Sequence, residues 1–147
     1  MLPALPHGFT VVEALTVDRE VLATLLLDAY RGTIDDEGED HDEALAAIDY
    51  YLGNILPGYS IVVFEGDRAV TMSFVVVVND QHYIDPVVTA ASHKGRGLGE
   101  ATVAESLRRL DAAGVHTVGA TITDGNTPSE RLFTVLGFAH VGSWPPS

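Results

Sequence analysis

Two hydrophobic periods divide the chain. After Asp18, the apolar residues Val21, Leu22, Leu25, Leu26 and Ala29 recur at helical spacing, which predicts a helix opened by an aspartate cap. Asp40-x-x-Glu43 reads as a capping arrangement for a second helix, with Ala44, Leu45, Ile48, Tyr51 and Leu52 on its buried face and Gly53 as its stop. From Tyr59 the period changes to that of strands. Ile61–Glu65 and Ala69–Val78 flank a Gly66-Asp67 turn, and Asn79-Asp80 leads into a further strand over Gln81–Thr89. Val75–Val78 is apolar without alternation, which predicts a central strand covered on both faces. Helical spacing returns with Val103, Leu107 and Leu110 and stops at Gly114. Val115–Ile122 reads as a parallel strand after that crossover, and Pro128 opens a last helix closed by a left-handed cap at Gly137-Phe138. A first strand over Phe9–Ala14 and a last one ending near Trp144 complete the order β-α-α-β-β-β-α-β-α-β.

That order predicts an α/β (α+β) fold of one domain over residues 1–147, without repeats or a linker. Little chain follows Phe138, so the sheet is expected either to lack a closing strand or to have it completed by another subunit. An uncovered edge is a liability, which makes a homodimer through strand exchange or edge contact one expectation.

Composition narrows the partners. The net charge of −13, from 21 acidic and 8 basic residues, argues against nucleic acid or an anionic membrane, both of which need a basic face. With no cysteine, a thiol nucleophile, a disulfide framework and a cysteine zinc site are excluded. Neither a membrane span nor a leader is read in the sequence, and the expectation is a cytoplasmic protein. The six histidines are scattered, with no pair at ligand spacing on a helix, so no metal site is expected.

The basic residues are unevenly placed, and two of them mark the candidate chemistry. Lys94 and Arg96 lie in His93-Lys94-Gly95-Arg96-Gly97-Leu98-Gly99, between the fourth predicted strand and the helix that starts near Glu100. Glycines at 95, 97 and 99 let backbone approach a bulky ligand, and the helix's first turn offers free N–H groups and the positive end of its dipole. This is a pyrophosphate site in outline. Its spacing departs from the dinucleotide fingerprint, because Glu100 falls at the third glycine's place, and no G-K-[ST] follows to make it a P-loop.

Lys94-x-x-Gly97-x-Gly99 resembles the acetyl-CoA turn of the GNAT family of N-acetyltransferases, written Q/R-x-x-G-x-G/A, with lysine at the Q/R position. Downstream, Asn126-Thr-Pro-Ser129-Glu-Arg-Leu132-Phe133-Thr-Val-Leu136-Gly137-Phe138 is similar to that family's N-x-x-A-x-x-L-Y-x-x-L-G-F. The resemblance implies a three-layer fold: a mixed, mostly antiparallel central sheet with helices on both faces and two strands splayed at the cofactor cleft. It also implies acetyl-CoA as co-substrate, with the pyrophosphate on the backbone of Lys94, Gly95, Arg96, Gly97, Leu98, Gly99 and Glu100. The pantetheine arm would pair with Val87, Val88 and Thr89, a bulge near Val88 or Thr89 would aim an N–H at the thioester carbonyl, and Asn126 and Phe133 would complete the cofactor set.

Acid–base residues depart from the family pattern. The tyrosine that commonly protonates the leaving thiolate falls at Phe133, and the glutamate that some members carry falls at Thr121. The base must therefore come from elsewhere, since an alkylammonium of pKa about 10 has to lose a proton before it can attack. On the strand before the glycine turn, Asp85 is the first choice for base or substrate anchor, Tyr83 for acid and His82 for alternative base; Tyr83 and Asp85 share a face by alternation. An Asp before Pro86 is also a common strand-end residue, and His93 reads as a surface residue. The acidic run Asp35-Asp36-Glu37-Gly38-Glu39-Asp40 would either draw a cationic small molecule to the acceptor site or be a solvated loop. The reading that results is an N-acyltransferase acting on an amine. Its alternatives are an acyl-CoA-binding sensor or subunit without turnover, a dinucleotide module and an interaction protein.

Overall fold

The computed structural model describes residues 2–34, 36–122 and 125–139. Among them the order is β1 (Phe9–Glu13), α1 (Arg19–Tyr30), α2 (His41–Leu52), β2 (Ile61–Glu65), β3 (Arg68–Val78), β4 (Gln81–Thr89), α3 (Leu98–Ala112), β5 (Val118–Ala120) and α4 (Thr127–Val135). The strand expected near Trp144 lies outside the described residues.

Local chemistry sets most boundaries. The Asp18 carboxylate accepts from Glu20 N at 2.8 Å and starts α1. Asp40 and Glu43 form a full capping box on α2, with the Asp40 side chain accepting from Glu43 N and the Glu43 side chain from Asp40 N. Asn79 and Asp80, both at positive φ, make the tight turn between β3 and β4. Gly137 at φ +93° ends α4, Phe138 N reaches back to Phe133 O at 2.9 Å, and the two phenylalanine rings meet at 4.9 Å.

The sheet has the order β1-β2-β3-β4-β5, antiparallel except for the β4–β5 pair. On one face, α1 and α2 bury Leu22, Leu25, Leu26 and Ile48 against Val62, Val70, Met72, Phe74 and Val88. On the other, α3 and α4 bury Val103, Leu110 and Phe133 against Val75 and Ile84. Each such leucine, isoleucine or phenylalanine contributes about 1.5–3 kcal/mol, which holds a helical layer on each side of the sheet.

Three predicted features shift. The expectation that Val75–Val78 is covered on both faces fails beyond Val76: Val77 and Val78 are 43% and 44% exposed, because the β3–β4 hairpin runs past the helices. β5 is three residues long instead of Val115–Ile122, although it is parallel to β4 as predicted. The third shift concerns the bulge. Ser73 faces Val87 and Val75 faces Ile84, so Asp85 and Pro86, joined by a cis peptide bond, stand opposite the single residue Phe74. The bulge therefore lies at Asp85-Pro86 and not near Val88 or Thr89, where continuous pairing with Thr71 and Met72 leaves no room for an extra residue.

Candidate active site

The site begins where two strands part. β4 and β5 pair at His82–Val118, Tyr83–Gly119 and Ile84–Ala120, and pairing stops there. Beyond Ile84 no described residue pairs with the β5-facing edge of β4, through the bulge and through Val87, Val88 and Thr89. A splay of this kind leaves backbone donors and acceptors for an extended ligand to pair with.

At the end of that edge stands the glycine turn. Gly95 and Gly97 both adopt φ +77°, a conformation costly for any residue with a Cβ, and Gly97 is the N-cap of α3. The first N–H that finds a helical carbonyl is that of Ala101, bonded to Gly97 O at 3.1 Å, so those of Leu98, Gly99 and Glu100 have no acceptor within the helix. Gly99 serves packing: a Cβ there would lie 2.9 Å from Leu132 Cδ1 and 3.3 Å from Thr89 Oγ1. The α3 terminus is thereby pressed between β4 and α4, with its open N–H groups at the mouth of the splay.

Side chains around the turn depart from what the resemblance implied. The Lys94 ammonium donates to Ala29 O at 2.6 Å, in the last turn of α1, where an unpaired carbonyl and the negative dipole end attract it. It ties the turn to α1. Arg96 is exposed. His93, read as a surface residue, is only 5% exposed and lies within hydrogen-bonding distance of Glu65 and Ser92. The hydrogen bond from His93 holds the Glu65 carboxyl below the usual carboxylate range. Asn126 accepts from Ser129 N at 3.2 Å and caps α4. Phe133 is 6% exposed within the second core and edge-on to Phe138, so it supports the cleft from beneath and is not free to line it.

Of the three acid–base candidates, Tyr83 and His82 take opposite faces of β4, and Asp85 stands at the bulge between Ile84 and Val87. Tyr83 stands opposite Val76, which packs with the α1–α2 core, and its ring lies against β5, where a Cβ on Gly119 would come within 2.7 Å of it. Asp85 lies two residues further on, at the bulge where β4 and β5 part. His82 shares the face opposite Tyr83 with Ile84, which belongs to the α3–α4 core; the alternative base is thus separated from Tyr83 by the sheet. Desolvation raises the Asp85 carboxyl above its ordinary range, with no neighbouring cation to offset it.

The acidic run is largely committed to its own loop. Asp36 accepts from Gly32 N at 2.8 Å and Gly38 N at 2.9 Å and pairs with Arg31 at 3.3 Å, and the two backbone donors hold its carboxyl below the usual range. Glu39 accepts from Glu37 N, and Asp40 caps α2. Asp35 lies outside the described residues. Ile34, in the same loop, comes within 3.4 Å of a Cβ built on Gly125, so the α1–α2 connection reaches the loop before α4. A cavity of about 360 Å³ opens elsewhere, between α1 and the β2–β3 turn, lined by Val21, Leu25, Asp28, Arg68 and Ala90; none of the candidate site residues lines it.

The model of the acetyltransferase (GNAT) family matches residues 19–138, which takes in both helical layers, the splay and the glycine turn. The chain belongs to the GNAT acetyltransferase family. Solved structures agree in fold. The PH1933 protein of Pyrococcus horikoshii OT3 superposes with TM-score 0.73 at 18% identity, covering 92% of this chain and 91% of that one. The ribosomal-protein-S18-alanine N-acetyltransferase of Escherichia coli gives 0.71 at 16% identity, over 90% and 79%. The PaiA N-acetyltransferase of Thermoplasma acidophilum, solved with coenzyme A, gives 0.71 at 11% identity, over 92% of each chain. No curated protein matches by sequence. Among the described residues no helix of this GNAT chain is long and apolar enough to cross a membrane.

Sequence reasoning located the glycine turn and the helix that follows it. It missed the contact between the buried His93 and the half-exposed Glu65, for which the sequence carries no signal, since the two residues are 28 positions apart.

Proposed function

We propose that this GNAT chain transfers an acetyl group from acetyl-CoA to a primary amine by direct attack in a ternary complex. The observation that carries the reading is the end of β4–β5 pairing at Ile84–Ala120, immediately upstream of a glycine turn whose helix presents three N–H groups without helical acceptors. An acyl-CoA fits these groups on chemical grounds: an extended amide-bearing arm for the open edge of Val87–Thr89, and a diphosphate for the backbone of Gly95–Glu100. The coenzyme A complex of the Thermoplasma relative supports the same class of ligand.

In this reading the bulge at Asp85-Pro86 turns backbone toward the thioester, and Asp85 takes the ammonium proton. The amine nitrogen then bonds to the carbonyl carbon and sheds its second proton to water, the C–S bond breaks, and the thiolate leaves and is protonated by water or by Tyr83, which regains its proton from solvent. A carboxylate raised by desolvation is a stronger base than an exposed one, and its separation from competing cations leaves it free to meet the ammonium. Thiols have a pKa near 8.5, so a dedicated acid at Phe133 is dispensable. The rest of the rate comes from holding both reactants in one cleft.

A second reading is an acyl-CoA-binding sensor without turnover. It is favoured by the burial of Phe133, which has no hydroxyl to offer, and by the exposed Thr121 in place of a carboxylate. One pair of measurements separates the readings. Acetyl-CoA at about 100 times its Kd should add roughly 2.7 kcal/mol of stability and raise the melting temperature by several degrees, with NADH inert. Release of free CoA on adding a panel of amines then identifies the enzyme; a thermal shift without release identifies the sensor.

A further inference from the structure

The phosphate turn is not held in place by packing on itself. A Cβ built on Gly95 or Gly97 would find nothing within 4 Å, so the position of the turn is set by its two ends and by the Lys94 ammonium on Ala29 O. On one side is α3, rooted by the buried Leu98. On the other is the short 3₁₀ turn Ala91–His93, fastened to the body of the fold at several points. Ala91 N donates to Asp28 Oδ2 at 2.8 Å, and Arg68 Nη1 donates to Ser92 Oγ at 3.2 Å; both contacts are exposed to solvent. His93 is the buried one. Its Nε2 lies 2.9 Å from Glu65 Oε1 at the end of β2, its Nδ1 lies 2.7 Å from Ser92 Oγ, and its ring meets Phe9 edge-on at 6.5 Å.

We infer that His93 is a positioning residue for the acyl-CoA phosphates: docked on Glu65 and Phe9, it holds the glycine turn in register with the open edge of β4. The inference rests on the acyl-CoA reading above and adds to it a residue outside the glycine motif. Its physical basis is preorganisation. A turn with two positive-φ glycines is intrinsically mobile, and whatever order the protein has not already imposed must be supplied at the moment of binding. Exposed contacts such as those of Asp28 and Arg68 restrain such a turn weakly. A buried imidazole satisfied on both nitrogens and in contact with an aromatic ring restrains it strongly. Because His93 sits on β2's side of the turn and Asp85 sits at the bulge, its loss should weaken cofactor binding and leave the chemical step intact.

The test is calorimetric titration of acetyl-CoA into the wild type, His93→Ala, His93→Gln, Glu65→Ala, the His93→Ala/Glu65→Ala pair and Ile48→Val, a core trim among the α1–α2 contacts away from the turn. The Kd should rise roughly tenfold in His93→Ala and in Glu65→Ala. The double variant should be no weaker than either single one, and His93→Gln, which can still donate toward Glu65, should recover part of the loss. Ile48→Val should lower the melting temperature without moving Kd, and kcat at saturating acetyl-CoA should stay within about twofold of wild type in His93→Gln. A wild-type Kd in folded His93→Ala or Glu65→Ala overturns the inference, as does an equal rise of Kd in Ile48→Val, which would make the effect one of global stability. A wild type that fails to bind acetyl-CoA at all removes the acyl-CoA reading itself, a result distinct from the pattern among variants.

Discussion

The glycine turn after β4 and the acidic loop between α1 and α2 are both polar and both border the cleft, yet they differ in what they have left to give. The turn has one lysine and one arginine, and Lys94 is drawn off to Ala29. Its binding capacity lies in backbone N–H groups that helix geometry leaves without acceptors. The acidic loop is the richest stretch of formal charge in the chain, yet of its described carboxylates Asp36 goes to Gly32 N, Gly38 N and Arg31, Glu39 to Glu37 N and Asp40 to the cap of α2, which leaves the exposed Glu37. Charge written in a sequence is not charge available to a ligand. In the proposed reaction the carboxylate that acts is Asp85, which desolvation raises above its ordinary range.

The sharpest way to break this contrast is at Gly97. Gly97→Val puts a β-branched residue at φ +77°, where it is strained by about 1–2 kcal/mol, and sets a side chain where the phosphates would lie. Acetyl-CoA affinity should fall by roughly a hundredfold or more, with the chain still folded, as read by calorimetry and circular dichroism. Near-normal binding would show that the anion site is not the backbone of this turn.

Asp85→Asn comes next. It should lower kcat by roughly a hundredfold at saturating acetyl-CoA with the Kd for acetyl-CoA unchanged, and should erase the acid limb of the pH–rate profile that deprotonation of Asp85 produces. Stability should move the other way. The folded-state pKa of Asp85 is raised, so the native state binds its proton more tightly than the unfolded chain does. Its favourable contribution is complete below the ordinary carboxylate range and is lost as pH rises through the raised value. At neutral pH the variant should therefore melt higher than the wild type, and in acid the two should converge.

Smaller effects are expected in the acidic loop. Asp36 has a depressed pKa, so it contributes stability above the ordinary carboxylate range and loses it as pH falls through the depressed value. Asp36→Asn should lower the melting temperature at pH 7 by only about a degree or two, with the difference closing in acid. Glu37→Gln should change the KM for a cationic amine by less than about twofold at physiological salt, because a single exposed charge is heavily screened. A large rise in that KM would restore the loop as an acceptor site.

How much of this was legible depended on the range of each interaction. Caps at Asp18 and Asp40, the turn at Asn79-Asp80 and the closure at Gly137-Phe138 use partners within a few residues, and the sequence reports them directly. The opposite faces of His82 and Tyr83 follow from alternation alone. The position of the bulge does not, because it is a count of residues on β4 against β3, and no property of Val88 or Asp85 records that count. Burial of His93 depends on Glu65 and Phe9 arriving from other strands, and the redirection of Lys94 depends on where α1 ends.

By itself, the sequence determined the element order, the two helical layers, the glycine turn and its family likeness, since periodicity, capping and positive-φ glycines act over a few residues. Only the tertiary structure decided which polar groups remain free at the cleft, since a donor or acceptor is satisfied by whichever partner the fold brings within about 3 Å, at any distance along the chain.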